Sequence, residues 1–233
     1  NPAGITMSAQ RGEEILEVVC RWSGDQRIHL IADEAYRSLQ YEGENVPSIR
    51  SLDHDGQTVI VAGTFSKSFS PGMRVGWGIL PAEMVDPLLD QKGNIDFGSP
   101  FFNQRVMREV VSSVLYGDHI EKIRAAYQEK RDTLLAAASD HLAMIKGVKW
   151  QPPTGGLYVW LELPGEINTG PGGTLMAAAI NAGVLYVPGE YCFPSEGEGV
   201  RYNYIRLSYG VQSVERIEQG IEALARAIQK TLV

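Results

Sequence analysis

The stretch Gly63–Trp77, GTFSKSFSPGMRVGW, places a single amine, Lys67, among small hydroxyls, with Arg74 seven residues later and a Pro-Gly pair between them. Most lysines on Ser-rich loops are simply solvated. This one follows TVIVAGT (Thr58 to Thr64), an apolar run of strand length, and precedes VGWGILP (Val75 to Pro81), a second such run. Lys67 therefore belongs to a turn at a strand end, and the fold is read outward from that turn.

Upstream, Ser8 to Trp22 carries a capping serine and apolar residues at Ile15, Leu16, Val18, Val19 and Trp22, the spacing of an amphipathic helix. IHLIAD (Ile28 to Asp33) is a short apolar run ending in charge and is expected to be a buried strand. Helix followed by buried strand, with acidic or hydroxylated strand ends, predicts an α/β fold with a parallel sheet. Ligands of such sheets gather at the carboxyl ends of the strands, so Asp33 and Thr64 are expected to face one ligand.

From Pro100 to about Lys146 the pattern is helical, with a stop and a new cap expected at YGDH, around Gly117 and Asp118. GGLYVWLELP, GVLYVPG and YIRLSYG then read as short strands, and Ser213 to Leu232 as a last helix with apolar residues at Val214, Ile217, Ile221, Leu224 and Ile228. The change of character places a domain boundary near Tyr127: residues 1–126 form part of a parallel-sheet domain and 127–233 a smaller α+β domain. INTGPGG (Ile167 to Gly173) is expected to be a surface loop, because no GK[ST] follows its glycines.

With 233 residues, the chain is long enough for a substantial core. Its net charge of −7, without a basic cluster, argues against nucleic-acid binding by this chain. No apolar run approaches the roughly 20 residues of a membrane span. Cys20 and Cys192 are expected to be reduced, buried thiols of a cytoplasmic protein. No metal-ligand spacing is evident. The opening NPAGITMS reads like the middle of a loop, so a piece of a longer protein is expected.

The chemistry rests on a combination. Asp33 at a strand end could be a cap or a structural ion pair, and Tyr36 a packing aromatic. Thr64, Ser66 and Arg74 are what a phosphate dianion requires, because hydroxyls donate from short stems and arginine offers a planar fork. An amine, a carboxylate on a neighbouring strand end and a phosphate-binding set together fit pyridoxal 5′-phosphate, whose aldehyde, ring nitrogen and phosphate need those three partners.

NPAG, DEAY, TFSKSFSPGMRVGW and YIRLSYG, in that order, resemble the class I/II aminotransferases of the aspartate aminotransferase superfamily, fold type I. The lysine segment resembles the branch holding aminoadipate and kynurenine aminotransferases, which includes the aminotransferase-like domains of GntR-type transcription regulators. The resemblance implies the C-terminal part of a large PLP-binding domain followed by a small domain. It implies that Lys67 bonds covalently to the cofactor and then moves protons, that Asp33 pairs with the pyridine nitrogen, and that Asn1 and Tyr36 bond the ring oxygen. Thr64, Ser66 and Arg74 would hold the phosphate, and Arg206 the substrate α-carboxylate. The implied activity is amino transfer between an amino acid and a 2-oxo acid, by a homodimer. A C–S β-lyase of the same fold and a regulator's effector domain are the alternatives. The family's preceding segment, with its ring-stacking aromatic, has no counterpart here.

Overall fold

The computed structural model describes residues 1–196 and 199–232. It separates into two compact units, one of Thr6–Arg124 and one of Asn1–Ile5 with Ala125–Val233. Asn1–Ile5 groups with the C-terminal residues because the Thr154 and Gly155 amides donate to Gly4 O at 2.9 and 3.3 Å.

In the Thr6–Arg124 unit, α1 (Ala9–Trp22) starts at the expected cap, where Ser8 Oγ accepts the Arg11 amide at 3.2 Å. β1 (Leu30–Asp33) pairs parallel with β2 (Val59–Thr64), with Asp33 opposite Ala62. β3 (Gly76–Ile79) pairs with β2 antiparallel, so the sheet is mixed and not parallel throughout. The reason is local: the segment from Phe65 to Val75 is too short for a crossover and doubles back, the Phe65 amide bonding Val75 O at 3.1 Å. Val59, Val61 and Ile49 form the buried centre, with Ile15, Leu16, Leu30, Ala32 and Leu52 packed on it. On the opposite face Ile31 is 68% exposed, and on the core face Trp77 and Ile79, paired with Gly63 and Val61, are 42% and 46% exposed at the β3 edge.

Two helices complete this unit, α2 (Val85–Asp96) and α3 (Phe101–Val111), before α4 (Val114–His141) runs across the division at Arg124. The helix break therefore falls at Ser112–Ser113 and not at Gly117–Asp118, which are helical. Ser113 explains the displacement: its Oγ donates to Val110 O at 2.8 Å and accepts the Leu115 amide at 3.3 Å, ending one helix and capping the next. A single Gly inside a helix costs only about 1 kcal/mol, which does not break it.

The other unit holds an antiparallel sheet of order β4-β5-β7-β6, built from Lys149–Trp150, Tyr158–Glu162, Tyr204–Ser208 and Val187–Pro188 in that spatial order. Helices α5 (Thr174–Asn181) and α6 (Val214–Thr231) pack together, and α6 buries Ile217, Ile221, Leu224 and Ile228 while Ser213 caps it. INTGPGG is a loop, as expected, with Asn168, Pro171 and Gly172 exposed, but it is not wholly at the surface. Ile167 and Thr169 are buried, and Thr169 Oγ1 bonds Tyr202 O and Tyr204 O at 2.9 and 2.7 Å. The cysteines are likewise not buried: Cys20 is exposed and Cys192 partly so, because Cys20 lies on the outer side of α1. Both are free thiols.

One ion pair ties the turn before β2 to that strand. Asp53 Oδ2 accepts from Arg50 Nη1 at 2.6 Å and from the Thr58 and Val59 amides at 3.0 and 2.7 Å. Burial works against the ionised carboxylate, but the two amides and the Arg50 guanidinium outweigh it and hold the carboxyl below its usual 3.8. A lowered folded value stabilises the native state above the unfolded value and is lost as pH falls through the folded one. Asp53→Ala should therefore cost about 3 kcal/mol at neutral pH by denaturant titration, leaving Arg50 and two amides unpaired. The penalty should shrink as the pH falls below 3.8.

Candidate active site

Parallel pairing brings the carboxyl ends of β1 and β2 side by side, and each continues into a turn that carries chemistry. After β1, Asp33 is exposed and its Oδ1 accepts the Ala35 amide at 3.0 Å. Tyr36 is half-buried and begins a short 3-10 turn, Arg37–Leu39. After β2, the amides of Phe69 and Ser70 donate to Phe65 O at 2.8 and 2.9 Å, closing a compact turn with Lys67 at its centre. Lys67 Nζ stands 5.8 Å from the centroid of the Tyr36 ring. That is within cation–π range, and among the described residues no carboxylate pairs with this amine.

The hydroxyls lie together: Thr64 Oγ1 donates to Ser66 Oγ at 3.0 Å and accepts the Ser66 amide at 3.0 Å. Arg74 is exposed and takes the left-handed backbone conformation, φ 52°. A non-glycine residue there costs roughly 1–2 kcal/mol, and such costs concentrate at functional positions. Among the described residues its guanidinium donates only to Pro71 O, at 3.2 Å, leaving most of its fork open. A cleft of about 420 Å³ lined by Phe65, Val75, Trp77, Met107 and Arg108 lies against the same turn, but none of the predicted site residues line it.

The other two predicted residues meet within their own unit. Arg206, on β7, donates from Nη1 to Asn1 Oδ1 at 2.9 Å, and its guanidinium carbon lies 4.3 Å from the centroid of the Tyr158 ring. Arg206 Nε is buried without a hydrogen-bond partner, a donor lacking an acceptor. Asn1 was expected to serve a cofactor oxygen, and here its carboxamide oxygen faces Arg206. Tyr158 is an addition that sequence reasoning missed. The signal was the strand alternation: Tyr158 pairs with Ser208, two residues from Arg206, so both lie on one face.

The donor set fits a phosphorylated pyridine aldehyde: the Lys67 amine, the Tyr36 hydroxyl, the neighbouring Thr64 and Ser66 hydroxyls, the Arg74 guanidinium and the exposed Asp33 carboxylate match its functional groups.

The sequence profile of aminotransferase class I and II matches residues 1–224. The chain belongs to that family. It is 34% identical over 232 residues to aromatic-amino-acid aminotransferase 1 of Thermococcus litoralis, covering 100% of this chain and 52% of that protein. It is also 34% identical over 230 residues to YdfD of Bacillus subtilis, an uncharacterised HTH-type transcriptional regulator, covering 99% of this chain and 45% of that one. Among solved structures, Pyrococcus horikoshii kynurenine aminotransferase, in complex with PMP, is 33% identical with a TM-score of 0.90, covering 100% of this chain and 55% of that one. The chain thus spans about half the length of the curated relatives it matches. The architecture is that of the fold type I aminotransferases. No helix among the described residues is long and apolar enough to cross a membrane.

Gly4 holds the Asn1 end in place. Its φ is +67°, and a Cβ there would lie 2.6 Å from Pro153 Cβ and 2.9 Å from Tyr158 O. Gly4→Ala should destabilise the protein by about 2 kcal/mol or more in urea titration, because the backbone conformation is strained for any side chain and the neighbours are backbone or proline. Retention of full stability would show that the Asn1 segment is not fixed this way.

Proposed function

We propose that this chain is about half of a PLP-dependent aminotransferase, which moves an amino group between an amino acid and a 2-oxo acid. The observation that carries the reading is the free amine of Lys67, held against Tyr36 on the turn that also presents Thr64, Ser66 and Arg74. Residues 1–126 are then the C-terminal part of the large cofactor-binding domain, and 127–233 the small domain. The half-length match to relatives and the exposed apolar residues Ile31, Trp77 and Ile79 of the sheet in the Thr6–Arg124 unit support a further segment that completes the sheet and the pocket. By family resemblance the assembled enzyme is a cytoplasmic homodimer.

When bound, pyridoxal phosphate supplies an electron-accepting ring that stabilises negative charge at the substrate Cα. The protein residues do the rest. Lys67 Nζ would be the point of covalent attachment and, when released, the base that takes the proton from the substrate Cα. The Asp33 carboxylate would hold a proton on the ring nitrogen, and the Tyr36 hydroxyl and the Asn1 amide group would donate to the ring oxygen. Thr64, Ser66 and Arg74 would bind the phosphate. Arg206 binds the substrate carboxylate in a two-bond fork. Tyr158 stacking and the Asn1 contact hold the guanidinium in one orientation beforehand, which reduces the entropy lost on binding.

A regulator's effector domain is the second reading, favoured by the 34% identity to YdfD. In that case the complete polypeptide would bind the cofactor and amino acids with little turnover, and would carry an upstream DNA-binding domain.

In the complete polypeptide, Lys67→Ala should abolish both the visible absorbance of the attached cofactor and the conversion of 2-oxoglutarate to glutamate; normal turnover in that variant overturns the assignment. Arg206→Ala should raise KM for amino and oxo acids about 100-fold, the value of a charge-assisted two-bond contact of near 3 kcal/mol. An unchanged KM would remove Arg206 from the substrate site.

A further inference from the structure

The turn carrying Lys67 and the turn carrying Tyr36 are separate loops, yet Lys67 Nζ stands 5.8 Å from the centroid of the Tyr36 ring. Something must fix that spacing, and both loops are anchored to one helical segment. The Tyr116 hydroxyl donates to Ser68 Oγ at 2.9 Å. Ser68 is the residue next to Lys67 and is only 3% exposed. The Tyr116 ring also meets Phe65 edge-on, with centroids 6.1 Å apart, and His119 meets Phe69 in the same way at 5.2 Å. One residue on, Ile120 is buried. Two turns beyond Tyr116, Arg124 Nε donates to Ser38 O at 2.8 Å, in the 3-10 turn that Tyr36 begins. Tyr116, His119, Ile120 and Arg124 recur at the three- and four-residue spacing of a single helix face. The start of α4 thus touches the Lys67 turn at three of its residues and the Tyr36 turn at one.

We infer that Tyr116 is a positioning residue for Lys67, acting through Ser68, and that Arg124 does the same for Tyr36 through the Ser38 carbonyl. The first three turns of α4 are a splint that sets the distance between amine and phenol. Neither residue touches the reacting groups, so their effect is on orientation alone. The catalytic consequence rests on the functional reading above; the mechanical link between helix and turn does not.

Tyr116→Phe isolates the hydrogen bond, since the ring and its contact with Phe65 remain. In the complete polypeptide without cofactor, amide hydrogen exchange across residues 65–70 should accelerate about tenfold, the value of one ordinary hydrogen bond, with the β2 amides of Val59–Val61 unchanged. The rate at which pyridoxal phosphate attaches to Lys67, followed by absorbance, should fall several-fold. Ser68→Ala should reproduce both effects, and the double variant should be no worse than either single one, because both remove the same bond. Unchanged exchange at 65–70, equal acceleration in β2, or additive effects in the double variant would overturn the inference. Failure of the parent protein to take up the cofactor would instead overturn the functional reading, and is seen before any variant is made.

Discussion

The parallel pairing of β1 with β2 is the constraint on which the Thr6–Arg124 unit depends. Matching Asp33 to Ala62 fixes where both strands end, so the turns after them begin at the same level. Without that register the Asp33–Tyr36 segment and the Lys67 turn would not begin side by side. A one-residue slip in a strand reverses every side chain, so register also decides which face Asp33 joins. The buried contacts of Val59, Val61 and Ile49 hold it, with α1 packed against the same centre.

The chemical residues sit on less regular structure than the strands beneath them. Lys67 lies in a turn of few internal hydrogen bonds, Arg74 in a left-handed backbone, and Tyr36 before a 3-10 turn. The Lys67 turn and the turn after Tyr36 are each held by a side chain of α4. A similar economy holds in the other unit, where Arg206 projects from a regular strand and is oriented by Asn1 and Tyr158. A strand places a side chain well, but its free rotamers need neighbours to choose among them. Among the described residues the Arg206 Nε is buried without an acceptor, a costly arrangement for a donor.

Much of this was legible in the sequence, and the reasons are specific. Ser8 and Ser213 announced two helix starts because a hydroxyl followed by apolar periodicity has few other uses. LIAD and VIVAGT read as strands because apolar runs of that length, bounded by turn residues, have little alternative. The helix break was misplaced because Gly117 is a conspicuous breaker, whereas the decisive bonds come from Ser113, whose side chain can cap only once α3 has formed. The Gly-rich INTGPGG looked solvated by composition, yet Thr169 is drawn inside by carbonyls of Tyr202 and Tyr204, more than thirty residues away.

The sequence by itself determined the kinds of groups available: one lysine at a strand end, hydroxyls and an arginine behind it, a carboxylate after the preceding strand, and an arginine in YIRLSYG. It could do so because strand ends, turns and donor chemistry are local properties. Only the tertiary structure decided that Lys67 has no carboxylate partner, that it faces Tyr36, that Tyr158 stacks on Arg206, and that the start of α4 grips both turns. Those facts depend on pairings between residues 31 to 86 positions apart. Such pairings are set by packing and strand register, and no local pattern encodes them.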